Sequence, residues 1–505
     1  MTCAACSWSL MPLMFEEPRR LHPAAILINL GRYFKQMIGA VAFPLIAMLA
    51  SGRNSKKETM ALMIGIFGGI ISALALIGPV LAFFSTTFSI HDNTLVISSG
   101  FIWRKRRTIP LARIQNVNIE RTIWHRLLGA AAVKVETAAG GGVEGELAAL
   151  SMADANALQS ALLHHAGTEP VEQPKQPEAL FSLTPKQVFL AGALGNRLMY
   201  IIAGILGVFQ FDNISEVSFR PLARSLSSMS PVAGAMLATA AFFGLVVVGW
   251  LVSIGMSATR FYGFRIERHE RGLLLTHGLL TQFKSIVPLG RVQVVRIVQP
   301  IFFRLFDYCE VYADTAGSFD SKDVASANKV CPILEVDRTQ EIGKLLLPTF
   351  DLDSLQWRHV SRKAIRRHAI RSFLTWAILL VPVGVIWLKW QVLWALIPLV
   401  ILCWISGILY YRYVAYATNE NLLASRQGIL RKQIVVMPFD RIQHYTINAS
   451  YFQRLAGLST VTVVSAAAGG HPVTIVDVDI EAAQELRRKL SESIREHRGN
   501  RTGGL

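Results

Sequence analysis

The densest chemistry in the sequence is Trp103-Arg104-Lys105-Arg106-Arg107, four cations beside an indole. Close to an anionic lipid surface each such cation contributes about 1 kcal/mol. On a strand, neighbouring side chains point to opposite faces, so about half the run can touch one surface at a time. These five residues are the candidate lipid contact, and a solvated strand rim is the competing reading. A second polar pattern recurs as Arg113/Gln115, Arg291/Gln293 and Arg441/Gln443. Residues two apart on a strand share a face. An arginine there could hold a phosphate headgroup or a peptide carboxylate with two parallel donors. Recurrence in every copy favours scaffold over ligand site: a hydrogen-bond network tying each domain to the turn that carries Arg126, Arg304 or Arg454.

Catalytic signatures are missing. The chain has no G-x-S-x-G, P-loop, H-E-x-x-H or Rossmann glycine pattern. His91, His125, His269, His277 and His471 do not recur at matching positions, and His164-His165 ends an expected helix, where positive charge suits the dipole. Cys3 and Cys6 form a C-x-x-C without a second ligand pair, so they read as two unpaired thiols. No enzymatic activity, cofactor or metal is therefore expected.

The elements that must position these residues occur three times. Gly100, Gly278 and Gly428 each precede a proline by ten positions: Pro110, Pro288 and Pro438. Each proline opens a P-[LF]-x-R-[IV]-Q segment, and sixteen positions after it stands Arg126, Arg304 or Arg454, followed by leucine. Internal repetition at fixed spacing signals duplication. Strands are expected at Leu95–Ser98, Leu273–Thr276 and Leu422–Ser425, then through Phe101–Ile109 and its counterparts. The P-[LF]-x-R-[IV]-Q segment is expected to continue as strand, since β-branched residues alternate around it. Ile123–Leu128 reads as a short helical turn and Val133–Thr137 as a strand before a glycine hairpin. Amphipathic helices close the copies at Asp154–His164, Asp337–Leu347 and Asp479–Ile494. The pattern resembles the bacterial pleckstrin-homology-like, membrane-flanked domain family, in three tandem copies over nearly the whole chain. The resemblance implies a small β-barrel or sandwich domain with a C-terminal helix, and no settled catalytic activity. Copy two departs from it: Asp307 stands where the others have Gly129 and Gly457, and 317–330 form a polar insertion.

Between these stretches lie apolar blocks at roughly 37–50, 60–84, 188–211, 231–256, 372–388 and 391–411. Apolar residues make up 52% of the chain and mean hydropathy is +0.39. The expected fold class is an α+β membrane protein with six transmembrane helices in three hairpins, each followed by a PH-like domain. The boundaries are 20–85, 188–258 and 358–411 for the hairpins, and 86–187, 259–350 and 412–497 for the domains. Lys35, Arg197 and Arg371 sit just before the most apolar stretch of each first helix, preceded by mixed segments starting near His22-Pro23, Thr184-Pro185 and His359. They read as snorkelling anchors after an interfacial helix. Basic residues concentrate on the side carrying Arg358, Arg362, Lys363, Arg366 and Arg367, which places domains and termini in the cytoplasm and the chain in the inner (plasma) membrane. The net charge of +17 then suits topology and anionic lipid, and no nucleic-acid partner is expected. Two functions are compatible with this: a scaffold whose domains bind another membrane or cytoplasmic protein, or a protein that binds or handles phospholipid. Mid-membrane polar residues of the kind transporters use are nearly absent, which favours the scaffold.

Overall fold

The computed structural model describes residues 15–31, 78–101, 103–137, 143–164, 179–195, 230–269, 272–316, 329–388, 392–467 and 472–502. The chain divides into two compact units, Met1–Ile286 and Val287–Leu505.

In the first unit, β1 (Arg19–Arg20), β2 (Thr87–His91), β3 (Thr94–Ser99) and β4 (Lys105–Pro110) form a four-stranded sheet in that order. Asp92 and Asn93 join β2 to β3 with φ of +46° and +56°. Both central residues in the left-handed region are what a tight hairpin demands, and Asp and Asn tolerate it best. A 3-10 turn at Leu111–Arg113 leads into β5 (Ile114–Arg121), followed by the short helix α1 (Ile123–Leu127), β6 (Ala130–Thr137), β7 (Val143–Ser151) and helix α2 (Met152–His164). Leu95, Ile97 and Ile109 of the first sheet meet Val117, Val133, Val135 and Leu147 of the second in one core, closed by Leu158 and Leu162 of α2. The Ser151 hydroxyl accepts from Asp154 N at 3.1 Å, capping α2, and Gln159 Nε2 donates to the Val117 carbonyl at 2.7 Å.

The second sheet does not stop with copy one. It runs β7-β6-β5-β11-β10-β9-β8, taking in β8 (Ala179–Ser182), β9 (Arg265–His269), β10 (Gly272–His277) and β11 (Gln282–Val287) of copy two. β5 and β11 are antiparallel, with Glu120 opposite Phe283 and Ile119 opposite Lys284.

The second unit repeats the plan. Its seven-stranded sheet runs β14-β13-β12-β18-β17-β16-β15. From copy two come β12 (Val292–Pro300), β13 (Tyr308–Thr315) and β14 (Lys329–Glu335), with helices α5 (Ile301–Leu305) and α6 (Thr339–Leu346). From copy three come β15 (Arg358–His359), β16 (Ala415–Thr418), β17 (Leu422–Gln427) and β18 (Arg431–Pro438). A separate sheet of β19 (Ile442–Asn448), β20 (Leu458–Ser465) and β21 (Val473–Asp479) follows, with helices α9 (Tyr451–Ala456) and α10 (Ile480–Thr502). Leu423, Val435 and Met437 pack there against Val461, Val463, Ile475 and the α10 residues Leu486 and Leu490.

Each apolar region is an excursion from a sheet. The lead-in strands β1, β8 and β15 precede it, and β2, β9 and β16 pair with them directly after it: Arg20 with Thr87, Ser182 with Arg265, His359 with Ala415. Helix α3 (Pro185–Ala193) starts at a capping box of Thr184 and Gln187. It lies on α4 (Pro231–Phe261), where Gly192 lets backbones approach: an added Cβ would stand 2.7 Å from Ile254 Cα. Ser253 Oγ donates to the Gly192 carbonyl at 3.0 Å and Trp250 Nε1 to that of Ala193 at 3.0 Å. In the second unit α7 (Lys363–Leu388) packs on α8 (Val392–Tyr413), with Gly407 against the Ile365 carbonyl.

Three expectations change. Six transmembrane helices in three hairpins are not what the structure holds: among the described residues two helices, Val232–Phe261 and Leu396–Tyr413, are long and apolar enough to cross a bilayer. Crossing takes about 20 apolar residues. α3 has 9, and α7 opens on Lys363, Arg366, Arg367 and Arg371. The block at 37–50 and most of 60–84 and 188–211 lie outside the described residues, as do Cys3, Cys6, Lys35, Arg197 and the 140–142 and 469–470 glycines. Secondly, the PH-like sheet domains are present but joined, because each seven-stranded sheet is shared by two copies. Thirdly, the three residues after the proline of P-[LF]-x-R-[IV]-Q are not strand but a 3-10 turn in each copy, at Leu111–Arg113, Leu289–Arg291 and Phe439–Arg441. Proline fixes φ and lacks a donor, which ends β4, β11 and β18 there.

Candidate functional site

The repeated glycine makes the first part of the site. Gly100, Gly278 and Gly428 have φ of +99°, +111° and +93°. A Cβ at any of them would collide with the carbonyl of the residue three positions on: Trp103, Thr281 or Arg431. In the first unit this turn is fastened to the end of α4. Gly278 N donates to the Tyr262 carbonyl at 2.9 Å and Leu279 N to that of Thr259 at 2.8 Å. His277 Nδ1 lies 2.9 Å from the Arg260 carbonyl, and the ring stacks on Phe264 and Phe283. Burial pushes its pKa below the ordinary value.

The repeated arginine makes the second part, and it reaches out of its own copy. Arg126 Nη1 on α1 donates to the Leu279 carbonyl at 2.9 Å. Arg304 Nη1 on α5 donates to the Ile429 carbonyl at 3.2 Å. Leu279 and Ile429 are equivalent residues, each just after the turn glycine of the following copy. Arg304 also binds the end of α8, with Nη2 3.1 Å from Tyr413 Oη and the guanidinium 4.7 Å from that ring. Arg126 and Arg304 therefore each pin one copy's short helix to the next copy's turn, beside the end of an apolar helix.

These short helices carry exposed apolar side chains at the same places. Trp124, Phe302 and Phe452 are 68%, 57% and 68% exposed, and Leu127, Leu305 and Leu455 are 72%, 71% and 71%. Leu279, Leu280 and Leu430 on the adjoining turns are exposed as well. Isolated surface leucines mean little, but a clustered apolar tip at an equivalent place in each copy marks a contact surface.

The residues singled out from sequence are dispersed by comparison. Trp103 is 87% exposed; Arg104, Lys105, Arg106 and Arg107 are exposed around the start of β4. Arg113 is exposed, Arg291 half-buried, and Arg441 sits 3.2 Å from Asp440 of its own turn. Gln293 is buried, donating to the Arg291 carbonyl at 3.2 Å; Gln443 is exposed; Gln115 lies in β5. Arg126 and Arg304 bind turns of the next copy rather than these pairs, and Arg454 is exposed. Asp307, in place of Gly129 and Gly457, keeps their left-handed backbone, at +55° against +66° and +68°.

Sequence reasoning passed over the tips, although their signal was present. An aromatic stands two positions before each arginine, in Trp124-His125-Arg126, Phe302-Phe303-Arg304 and Phe452-Gln453-Arg454. The side-chain network that fastens α7 to copy three was also passed over. Arg367 Nη2 lies 2.7 Å from Asp477 Oδ2, and Gln453 Nε2 donates to Asp477 Oδ1 at 2.9 Å. Among the described residues no group of three or more His, Cys, Asp or Glu could hold a metal.

Three segments of the chain, 27–166, 201–348 and 374–494, match the bacterial PH domain family, one to each copy of sheet, turn and helix. The protein belongs to the bacterial PH domain family. The bacterial PH modules are tandem, and each match includes part of the apolar region ahead of its sheets. Over 490 residues the chain is 23% identical to the UPF0699 transmembrane protein YdbT of Bacillus subtilis (strain 168), covering 93% of this chain and 97% of that one. With two long apolar helices among its described residues, the protein is a membrane-associated member of the family carrying its PH-like modules in series.

Proposed function

We propose that this is a non-enzymatic scaffold of the plasma membrane. Its bacterial PH modules are fused edge to edge into rigid sheets on the cytoplasmic side and present those sheets to another membrane or cytoplasmic protein. The observation that carries the reading is the shared sheet. Strands of successive copies pair directly, so neighbouring modules keep a fixed geometry. Edge strands are where sheets recruit unwanted partners, and here β5, β11, β12 and β18 are consumed in joining copies. The basic residues in the first turns of α7 support the cytoplasmic side.

A second reading, phospholipid contact, has its own observation: the apolar tips of α1, α5 and α9. Leu279 beside α1 is tied to the end of α4, and Tyr413 at the end of α8 touches Arg304 of α5. Aromatic and aliphatic side chains at that level suit the headgroup boundary. The two readings combine if the tips seat the sheets on lipid.

Photo-crosslinking in native membranes separates them. A photoreactive residue at Trp124, Phe302 or Phe452 is expected to attach lipid. One at the exposed Arg268 or Lys344 is expected to attach protein. Lipid adducts at every position would replace the scaffold with a lipid-handling protein, and protein adducts at the tips would remove the lipid seat.

A further inference from the structure

Each unit holds one sheet with a join strand left at its edge. Among the described residues β4 is the outer strand of its four-stranded sheet, and β19 is the outer strand of its three-stranded sheet. By repeat position β4 is the counterpart of β11 and β18, while β19 is the counterpart of β5 and β12. Those counterparts are the strands that pair at the joins, β5 with β11 and β12 with β18. β4 and β19 are thus two halves of a join that the chain makes twice internally.

The internal joins share one register. Glu120 faces Phe283 in the first and Val298 faces Gln433 in the second; Ile119 faces Lys284 as Ile297 faces Ile434. Each pair occupies equivalent repeat positions. Exposure follows the pairing. Val294, Arg296 and Val298 are 0%, 7% and 0% exposed at a join, whereas their counterparts His444, Thr446 and Asn448 on β19 are exposed. On the other side Lys105, Arg106 and Thr108 of β4 are exposed where Gln433 and Ile434 are half-buried and Val436 is buried. The arginine pin obeys the same rule. Arg126 and Arg304 hold the next copy's turn, while Arg454 is exposed and its guanidinium has no partner among the described residues. The turn that would receive it, at Phe101, is exposed at the other end of the chain.

We infer that β19 of one chain pairs antiparallel with β4 of a second copy of this chain. Asn448 then lies opposite Lys105, Ile447 opposite Arg106 and Tyr445 opposite Thr108, and Arg454 donates to the Phe101 carbonyl of that second copy. The second copy is the occupant because one chain carries both complementary edges, in the register and with the arginine that its own joins use. Lysine and arginine on a sheet edge discourage arbitrary strand addition. β19 meets them with the uncharged Tyr445, Thr446, Ile447 and Asn448, so no like charges are opposed. Such a contact is heterologous: repeated, it closes a ring or extends a filament. The inference rests on the scaffold reading and names what the scaffold first assembles with.

Two differently tagged full-length chains, Lys105→Cys in one and Asn448→Cys in the other, are co-expressed and their membranes oxidised. A chain carrying Glu120→Cys and Phe283→Cys reports the internal join in the same membranes. The expected result is a covalent dimer bearing both tags, with none from either variant alone. Adding Arg454→Ala to the Asn448→Cys chain is expected to lower the yield about tenfold. A crosslinked internal join without the mixed dimer overturns the inference. Dimers from a single variant overturn it too, because they require isologous pairing. Capture of a different protein at position 105, or protection of that thiol by anionic but not neutral lipid without dimer, assigns β4 to another occupant. Each of these outcomes leaves the internally fused scaffold standing, whereas an internal pair that fails to crosslink removes the scaffold reading and the inference together.

Discussion

Two residues show how strongly partners govern behaviour in this protein. Asp477 is fully buried, and Arg367 supplies its compensating charge at 2.7 Å with a side chain 15% exposed. Removing one member of such a pair strands the other charge, at a cost of about 3–5 kcal/mol. Arg367→Ala is therefore expected to lower the melting temperature of the protein in nanodiscs sharply. Arg113→Ala, at an exposed turn, is expected to stay within about 0.5 kcal/mol of the parent. His277 sets a pH dependence. Burial lowers its pKa from an ordinary value of 6.5, so the unfolded chain binds the proton more readily than the fold. Stability from this group is complete above about 6.5 and declines as the pH falls toward the lowered value. A His277→Gln variant should lose less melting temperature between about pH 7.5 and pH 5 than the parent; equal losses would assign the dependence elsewhere. At this scale the residue types were legible in the sequence but their partners were not. Spacing reveals which strand face a side chain shares, whereas Arg126 bonds to a carbonyl 153 positions away.

Turns decide where the elements begin and end. At Gly278 the backbone has φ of +111° and a Cβ would strike the Thr281 carbonyl, so Gly278→Ala must both strain and displace the turn. A cost of about 1–3 kcal/mol is expected, with faster hydrogen exchange in β10 and β11. Gly290, inside a 3-10 turn, has open space around its Cβ position, and Gly290→Ala is expected to leave exchange unchanged. The order of strands, short helix and closing helix could be read from the sequence because periodicity and glycine spacing recur three times. The 3-10 turn of P-[LF]-x-R could not, since three residues are too few to interrupt an alternating pattern visibly. The lead-in strands Arg19–Arg20 and Arg358–His359 are shorter still and gain their identity only from the strands they meet. Among the described residues fewer membrane elements stand than expected, for a related reason. Apolar composition alone does not separate a spanning helix from one such as α7, whose first turns are basic.

Topology follows from the sheets. Because β8 pairs with β9, the chain leaves a sheet at Ser182 and rejoins the same sheet at Arg265, so the proposed cytoplasmic placement of the sheets puts both ends of that excursion on one side of the membrane. α4, at about 1.5 Å per residue over 31 residues, is long enough to carry Ser230 to the opposite side from β9. An impermeant maleimide added to intact cells should therefore label Ser230→Cys and not Arg268→Cys. The reverse would invert the cytoplasmic assignment. What links residues and elements to the whole is the continuity of sheet from one copy to the next. A pair of spin labels on the full-length protein in lipid bilayers tests it most directly. Lys134 on β6 and Arg265 on β9 are separated by β5, β11 and β10 in one sheet. Four strand spacings and the label arms set their separation at about 20–30 Å. One narrow distance peak in that range is expected. A broad or multiple distribution would mean that the copies are tethered beads rather than a shared sheet, and would contradict it.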